Sequence, residues 1–143
     1  MGPRSTGRNI LIVDDDDDVR RLIHLRLAED PRTGMVWEAT DPQTASALVQ
    51  ILAVDVIILD HVLAQGTATD CLGALRQHRP DCRIIVYTEH VQLARESKVL
   101  DLGADHLVQR RGVGVDDIAR MVFGSALPFP VTAASGGPSR DRL

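Results

Sequence analysis

Short, unbroken apolar runs alternate along this chain with longer stretches in which apolar residues recur every three or four positions. The runs are Ile10–Val13, Val54–Leu59 (interrupted only by Asp55) and Ile84–Tyr87. They read as strands buried on both faces, because a half-exposed strand would alternate apolar and polar residues instead. Met35–Ala39 and His106–Gln109 are poorer strands of the same kind. Between them the spacing predicts helices over Val19–Leu27, Asp41 to about Leu52, Asp70–His78, Val91–Leu102 and Val115–Phe123. Val19, Leu22, Ile23 and Leu27 fall on one face of the first helix, with Asp17 or Asp18 as its cap. Pro31 and Gly34 break the chain after it. Asp41 caps the second helix and Pro42 takes its first position. Gly103 ends the fourth.

The order is strand then helix, five times over. That alternation predicts an α/β fold, a doubly wound parallel sheet with helices on both faces and right-handed crossovers. The domain is expected over residues 9–125. Residues 1–8 are expected to be loose, and residues 126–143, rich in Pro, Gly, Ala and Ser, to form a disordered tail.

Composition narrows the function. Aromatic residues are 3% of the chain against 44% hydrophobic overall, so Val, Ile, Leu and Ala must build the core. The formal net charge is −4, with Lys and Arg scattered, which gives no basic footprint for nucleic acid. No apolar run is long enough for a secretion signal or a membrane span. Two cysteines, Cys71 and Cys82, make no disulfide framework and fit a reduced, cytoplasmic protein.

An open parallel sheet binds ligands beyond the carboxyl ends of its strands. The first strand ends in Asp14 and Asp15, the third in Asp60, the fourth in Thr88 and Glu89, and the fifth in Arg110 and Arg111. Carboxylates gathered at one rim repel unless a cation joins them, and hard oxygen ligands select Mg²⁺. A carboxylate beside that ion can act as a nucleophile towards phosphorus. Thr88 and Arg110 are the residue types that stabilise the oxygens of a phosphoryl group in transfer. Asp17 and Asp18 read as the acidic start of a helix.

The stretches Ile10-Leu-Ile-Val-Asp-Asp15, Asp55-Val-Ile-Ile-Leu-Asp60, Ile84-Ile-Val-Tyr-Thr88 and Leu102-Gly-Ala-Asp105 resemble a response-regulator receiver domain, from Ile10 to about Phe123. The resemblance implies a flavodoxin-like sheet of strand order 2-1-3-4-5. It implies phosphorylation of Asp60 by a histidine kinase or phosphotransfer protein. Asp14, Asp15, the Asp60 carboxylate and the backbone carbonyl of Val62 would hold Mg²⁺. Thr88 would bind the phosphoryl group and couple it to the face of helix four, strand five and helix five, which could also pair two copies. A downstream protein partner would read that face. The chain departs from the family pattern at Arg110 and Arg111, where a Lys-Pro pair is usual, at Leu107, where an aromatic is usual, and at Ala64, where a Pro is usual.

Two other readings compete. Asp15-x-Asp17-x-Val19 after an apolar strand, with Ile84–Thr88, fits a haloacid-dehalogenase-like phosphatase. That reading leaves Asp60 unused and puts its late acidic pair, Asp116-Asp117, at a helix start. The departures at Leu107, Arg110 and Arg111 fit an interaction module that works without phosphorylation. His61 is expected in a solvent-exposed loop. Cys71, His78, Cys82 and His90 show no zinc spacing.

Overall fold

A computed structural model describes residues 7–124; the expected tail, and the expected loose N-terminus up to residue 6, lie outside the described residues. The apolar runs form the strands β1 (Arg8–Val13), β2 (Thr33–Ala39), β3 (Val56–Leu59), β6 (Arg83–Thr88) and β7 (His106–Gln109), with a small antiparallel hairpin of β4 (Val62–Leu63) and β5 (Gly66–Thr67) after the third. The five long strands make one parallel sheet in the order β2-β1-β3-β6-β7. Counted without the hairpin, this is the expected order 2-1-3-4-5. The direction of winding reverses between β1 and β3, so the crevice of the sheet lies at their carboxyl ends.

Both faces of the sheet are covered, which is why its strands are apolar without alternation. Leu11, Val13, Ile57, Leu59, Ile84, Val86 and Leu107 face one core, shared with α2 (Pro42–Ile51), α3 (Thr69–His78), α4 (Val91–Glu96) and α5 (Val99–Leu102). Ile10, Ile12, Val56, Ile58, Ile85, Tyr87 and Val108 face the other, under α1 (Asp17–Ala28) and α6 (Val115–Phe123).

Several expectations shift. β1 begins at Arg8, inside the segment expected to be loose, because Arg8 N–H donates to the Arg32 carbonyl and pairs beside β2. Gly34 lies within β2 and does not break it. Asp16, not Asp17 or Asp18, caps α1, and its carboxylate accepts from the Asp18 and Val19 N–H groups. Leu22 is 59% exposed, so the buried stripe of α1 is narrower than its spacing suggests. The helix expected over Val91–Leu102 is broken in two. Lys98 sits between the halves in the left-handed region, φ +59°. Gly103 follows at φ +132°, where a Cβ would meet the Arg76 side chain at 3.3 Å.

At the amino ends of the strands, arginines cap the carbonyl ends of helices. Arg83 donates to the carbonyls of Met121 and Gly124, and Arg8 to that of Val122, at the end of α6. Arg79 donates to Val49 and Leu52 at the end of α2. Arg76 donates to Pro80, Cys82 and Gly103. Both cysteines are free and buried, and burial pushes the thiols up to about 12 at Cys71 and about 11 at Cys82, which leaves them inert.

Candidate functional site

Three backbone bonds carry the sheet one residue past its strands and fix the site. Asp14 N–H donates to the Ala39 carbonyl, Asp60 N–H to Val13, and Arg110 N–H to Thr88. The residues that end β1, β3 and β7 are therefore held as firmly as strand residues. Asp14, Asp15 and Asp60 each bring an oxygen into one group whose atoms lie within 4.8 Å of one another. Asp14 and Asp60 are buried, and Asp15 opens to solvent.

Each buried carboxylate is held on both oxygens. Asp14 Oδ1 accepts the Asp16 N–H at 2.9 Å, and its Oδ2 accepts Arg110 Nη2 at 2.6 Å. Asp60 Oδ1 accepts the His61 N–H at 2.7 Å, and its Oδ2 lies 3.2 Å from the same Arg110 Nη2. The guanidinium thus bridges both acids. Nη2 also reaches the Tyr87 carbonyl at 3.3 Å, and the group stands over the Tyr87 ring, Cζ 5.2 Å from its centroid. The buried Arg110 Nε has no hydrogen-bond partner among the described residues.

Burial raises the Asp14 carboxyl to about 6, and the charges of Asp60 and Asp15 add to that effect; the Asp16 N–H and Arg110 oppose it. One guanidinium therefore does not fully compensate the acids. The donor set is all carboxylate oxygen, two of the three groups are buried, and the atoms converge. That chemistry suits Mg²⁺ or Ca²⁺ and not a soft metal.

Thr88 ends β6 and is fully buried, and its Oγ1 accepts the His90 N–H at 3.0 Å. That bond uses a lone pair and leaves the hydroxyl proton to donate. Val62, two residues after Asp60, is half-buried at the start of the β4-β5 hairpin. Ala64 N–H ties the hairpin to Thr40 beside the pocket. Leu107 is buried in the core with no polar atom to offer. Arg111 and Glu89 are exposed. No cis peptide bond occurs among the described residues.

His61 is the residue that sequence reasoning misplaced. It is 2% exposed, not in solvent. Strand β3 is buried on both faces, so when Asp60 turns into the pocket, the next side chain is left to the apolar side. Its Nε2 lies 3.5 Å from Ser97 Oγ, at the α4-α5 break, and its Nδ1 has no partner among the described residues. Burial pulls its pKa below the usual histidine value. The unbroken apolar run before Asp60 was the signal that could have located it.

Asp17 is exposed and pairs with Arg20 on α1. Asp116 pairs with Arg26, and Asp117 accepts the Gly114 N–H at the start of α6. Of the acids that a dehalogenase-like phosphatase would use, Asp17, Asp116 and Asp117 are thus engaged away from the pocket, and Asp15 alone stands in it.

Comparison with known proteins agrees with this architecture. The family model for the response regulator receiver domain matches residues 10–122. Among curated proteins, the chain is 34% identical over 103 residues to the nitrate/nitrite response regulator protein NarP of Escherichia coli, covering 72% of this chain and 48% of NarP. It is 30% identical over 124 residues to the photosynthetic apparatus regulatory protein RegA of Cereibacter sphaeroides, covering 86% of this chain and 66% of RegA. The chain thus spans from about half to about two thirds of the length of these relatives. Among solved structures, a CheY-like receiver domain protein from Methanospirillum hungatei superposes with a TM-score of 0.73 at 22% identity, over 81% of this chain and 90% of that one. A response regulator from Burkholderia pseudomallei, solved with a phosphorylated aspartic acid, calcium ion and citrate, gives 0.72 at 22% identity, over 95% and 74%. Sheet order, strand-end acids and the match over residues 10–122 lead to one conclusion: the chain belongs to the response regulator receiver domain family of two-component systems.

Proposed function

We propose that this chain is a phosphoacceptor: it takes a phosphoryl group on Asp60 from a histidine kinase or phosphotransfer protein and signals through contacts with a downstream protein. The observation that carries this reading is the convergence of Asp14, Asp15 and Asp60 on one point at the carboxyl ends of β1 and β3. Asp14, Asp15, the Asp60 carboxylate and the Val62 carbonyl would hold Mg²⁺. That ion, when bound, offsets the negative charge of the acids and of the phosphoryl oxygens.

The chain's own groups do the rest. Asp60 Oδ1 is pinned by the His61 N–H, which leaves Oδ2, 3.2 Å from Arg110 Nη2, as the oxygen without a backbone bond. Oδ2 attacks phosphorus, the O–P bond forms as the N–P bond of the donor histidine breaks, and the leaving imidazole keeps the electron pair and takes up a proton. The Thr88 hydroxyl donates to one phosphoryl oxygen and the Arg110 guanidinium to another. The chain turns over no external substrate on this reading; its work is regulatory. A cytoplasmic location fits the two free thiols. No helix among the described residues is long and apolar enough to cross a membrane.

The test is incubation with Mg²⁺ and a small phosphoryl donor, followed by intact mass. The wild-type chain is expected to gain one phosphoryl group. The gain should vanish with Asp60→Asn and with chelation of the metal. A chain that never gains mass but still binds its partner would instead be a phosphorylation-independent interaction module.

A further inference from the structure

We propose that Arg20 is a positioning residue for the acid pocket: its guanidinium locks the turn between β1 and α1 and so sets the direction of Asp15. The inference rests on the phosphoacceptor reading for its purpose, though not for its geometry. Asp15 is the exposed member of the three converging acids. A carboxylate in solvent gains little from packing, so its placement depends on the backbone that carries it. Two planar peptide groups flank its Cα. The one between Asp15 and Asp16 is fixed because the Asp16 N–H donates to Asp14 Oδ1 at 2.9 Å. The one between Asp14 and Asp15 is fixed through the Asp14 carbonyl, which accepts Arg20 Nη1 at 2.8 Å.

Arg20 can hold that carbonyl because its other nitrogens are held in turn. Nε donates to Glu38 Oε1 at 2.7 Å, and Nη2 to Asp17 Oδ1 at 2.7 Å. The second oxygen of Glu38 is bonded to His24 Nδ1, one turn further along α1. Ala39, next to Glu38 on β2, accepts the Asp14 N–H. Asp14 is therefore tied to β2 on both sides of its Cα, directly at its N–H and through Arg20 and Glu38 at its carbonyl. A planar fork with all three nitrogens bonded cannot turn without breaking several bonds at once. A lysine ammonium is a single nitrogen and cannot span three acceptors so placed. The charge of Arg20 works against the metal, because a cation on the Asp14 carbonyl repels a second one at the Asp14 carboxylate. Positioning and charge thus act on metal affinity with opposite signs, which separates the two roles.

The test is a titration of the full chain with MgCl₂ by isothermal calorimetry. Wild type is compared with Arg20→Lys, Arg20→Ala and the control Arg21→Lys, on an exposed residue of the same helix, with thermal melts to show that each variant is folded. Arg20→Lys keeps the charge and should bind Mg²⁺ about ten-fold more weakly than wild type. Arg20→Ala should also bind more weakly, although loss of a positive charge alone would tighten binding. Arg21→Lys should bind as wild type does. In the metal-free chain, the backbone amide NMR signals of Asp15 and Asp16 should shift in both Arg20 variants and stay in place in the control. Wild-type Mg²⁺ affinity in Arg20→Lys overturns the proposal, as does equal or tighter binding by Arg20→Ala, or an Asp15 amide signal that neither variant moves. The expected order of Mg²⁺ affinities without any phosphoryl gain on Asp60 in wild type would sink the acceptor reading alone.

Discussion

Burial and neighbouring charge raise the Asp14 carboxyl from 3.8 to about 6, so ionising it weighs against the folded state. The sign follows from linkage. Below pH ~4 the group is protonated in both states, and its contribution to stability is fully present. Between pH ~4 and ~6 the unfolded chain releases the proton first, and that contribution is lost. At pH 7 without metal the loss is on the order of 3 kcal/mol. Asp14→Asn should therefore stabilise the metal-free chain against urea at pH 7 by on the order of 1–2 kcal/mol, some of the gain being offset by the lost bond to Arg110. Near pH 4 the advantage should disappear. On the proposed metal site, Mg²⁺ should reverse the order, because Asp14→Asn would remove one of its ligands. At this scale the sequence was legible where a residue ends a buried strand, as at Asp14, Asp60 and Thr88. It was not legible for His61, whose identity suggests solvent while the two-sided burial of β3 keeps it inside. The bridge made by Arg110 was foreseen as a charge near the site; that one nitrogen serves both acids is a matter of geometry.

Element by element, legibility follows how much of the stabilisation is local. Strands of a sheet covered on both faces need continuous apolar runs, so β1, β3 and β6 could be read directly. The hairpin β4-β5 pairs only Val62 with Thr67 and Leu63 with Gly66, too short a run to leave a pattern. The α4-α5 break is similarly silent, because Ser97 and Lys98 are tolerated in helices and only the φ of Lys98 reveals the interruption. In the acidic run the competition among adjacent aspartates is decided by the chain's exit from β1. Asp14 and Asp15 leave the strand, and Asp16, with extended backbone at φ −87° and ψ 112°, stands immediately before the first helical turn. Its carboxylate satisfies two N–H groups that the helix cannot. Asp16→Ala should cost about 1 kcal/mol in equilibrium unfolding, whereas Asp18→Ala should change stability by less than about 0.5 kcal/mol. Equal losses at the two positions would mean that the run acts only as diffuse charge on the helix dipole.

Across the whole molecule, acids outnumber the arginines Arg110 and Arg111 at the carboxyl ends of the strands, while Asp55 and Asp105 stand among arginines at the amino ends. Helix N-termini and strand carboxyl ends share one pole, and there stand Asp14 to Asp18 and Asp60. Helix C-termini share the other, and there Arg8, Arg79 and Arg83 close the last carbonyls. The winding rule makes the first pole readable in the sequence, since strand-end residues follow from the order of elements. The arginine pole was not readable, because arginines far apart in sequence converge only once the helices pack. This arrangement makes the molecule a charged compass for whatever diffuses towards it. A small anionic phosphoryl donor approaches against the field of its target pole, while a basic protein surface is drawn in. Added salt weakens both effects and so pushes the two encounters in opposite directions. Stopped-flow rates at fixed Mg²⁺ should rise with ionic strength for a small anionic donor and fall for a basic partner, so that the ionic strength of the surroundings sets which kind of collision the pocket meets first.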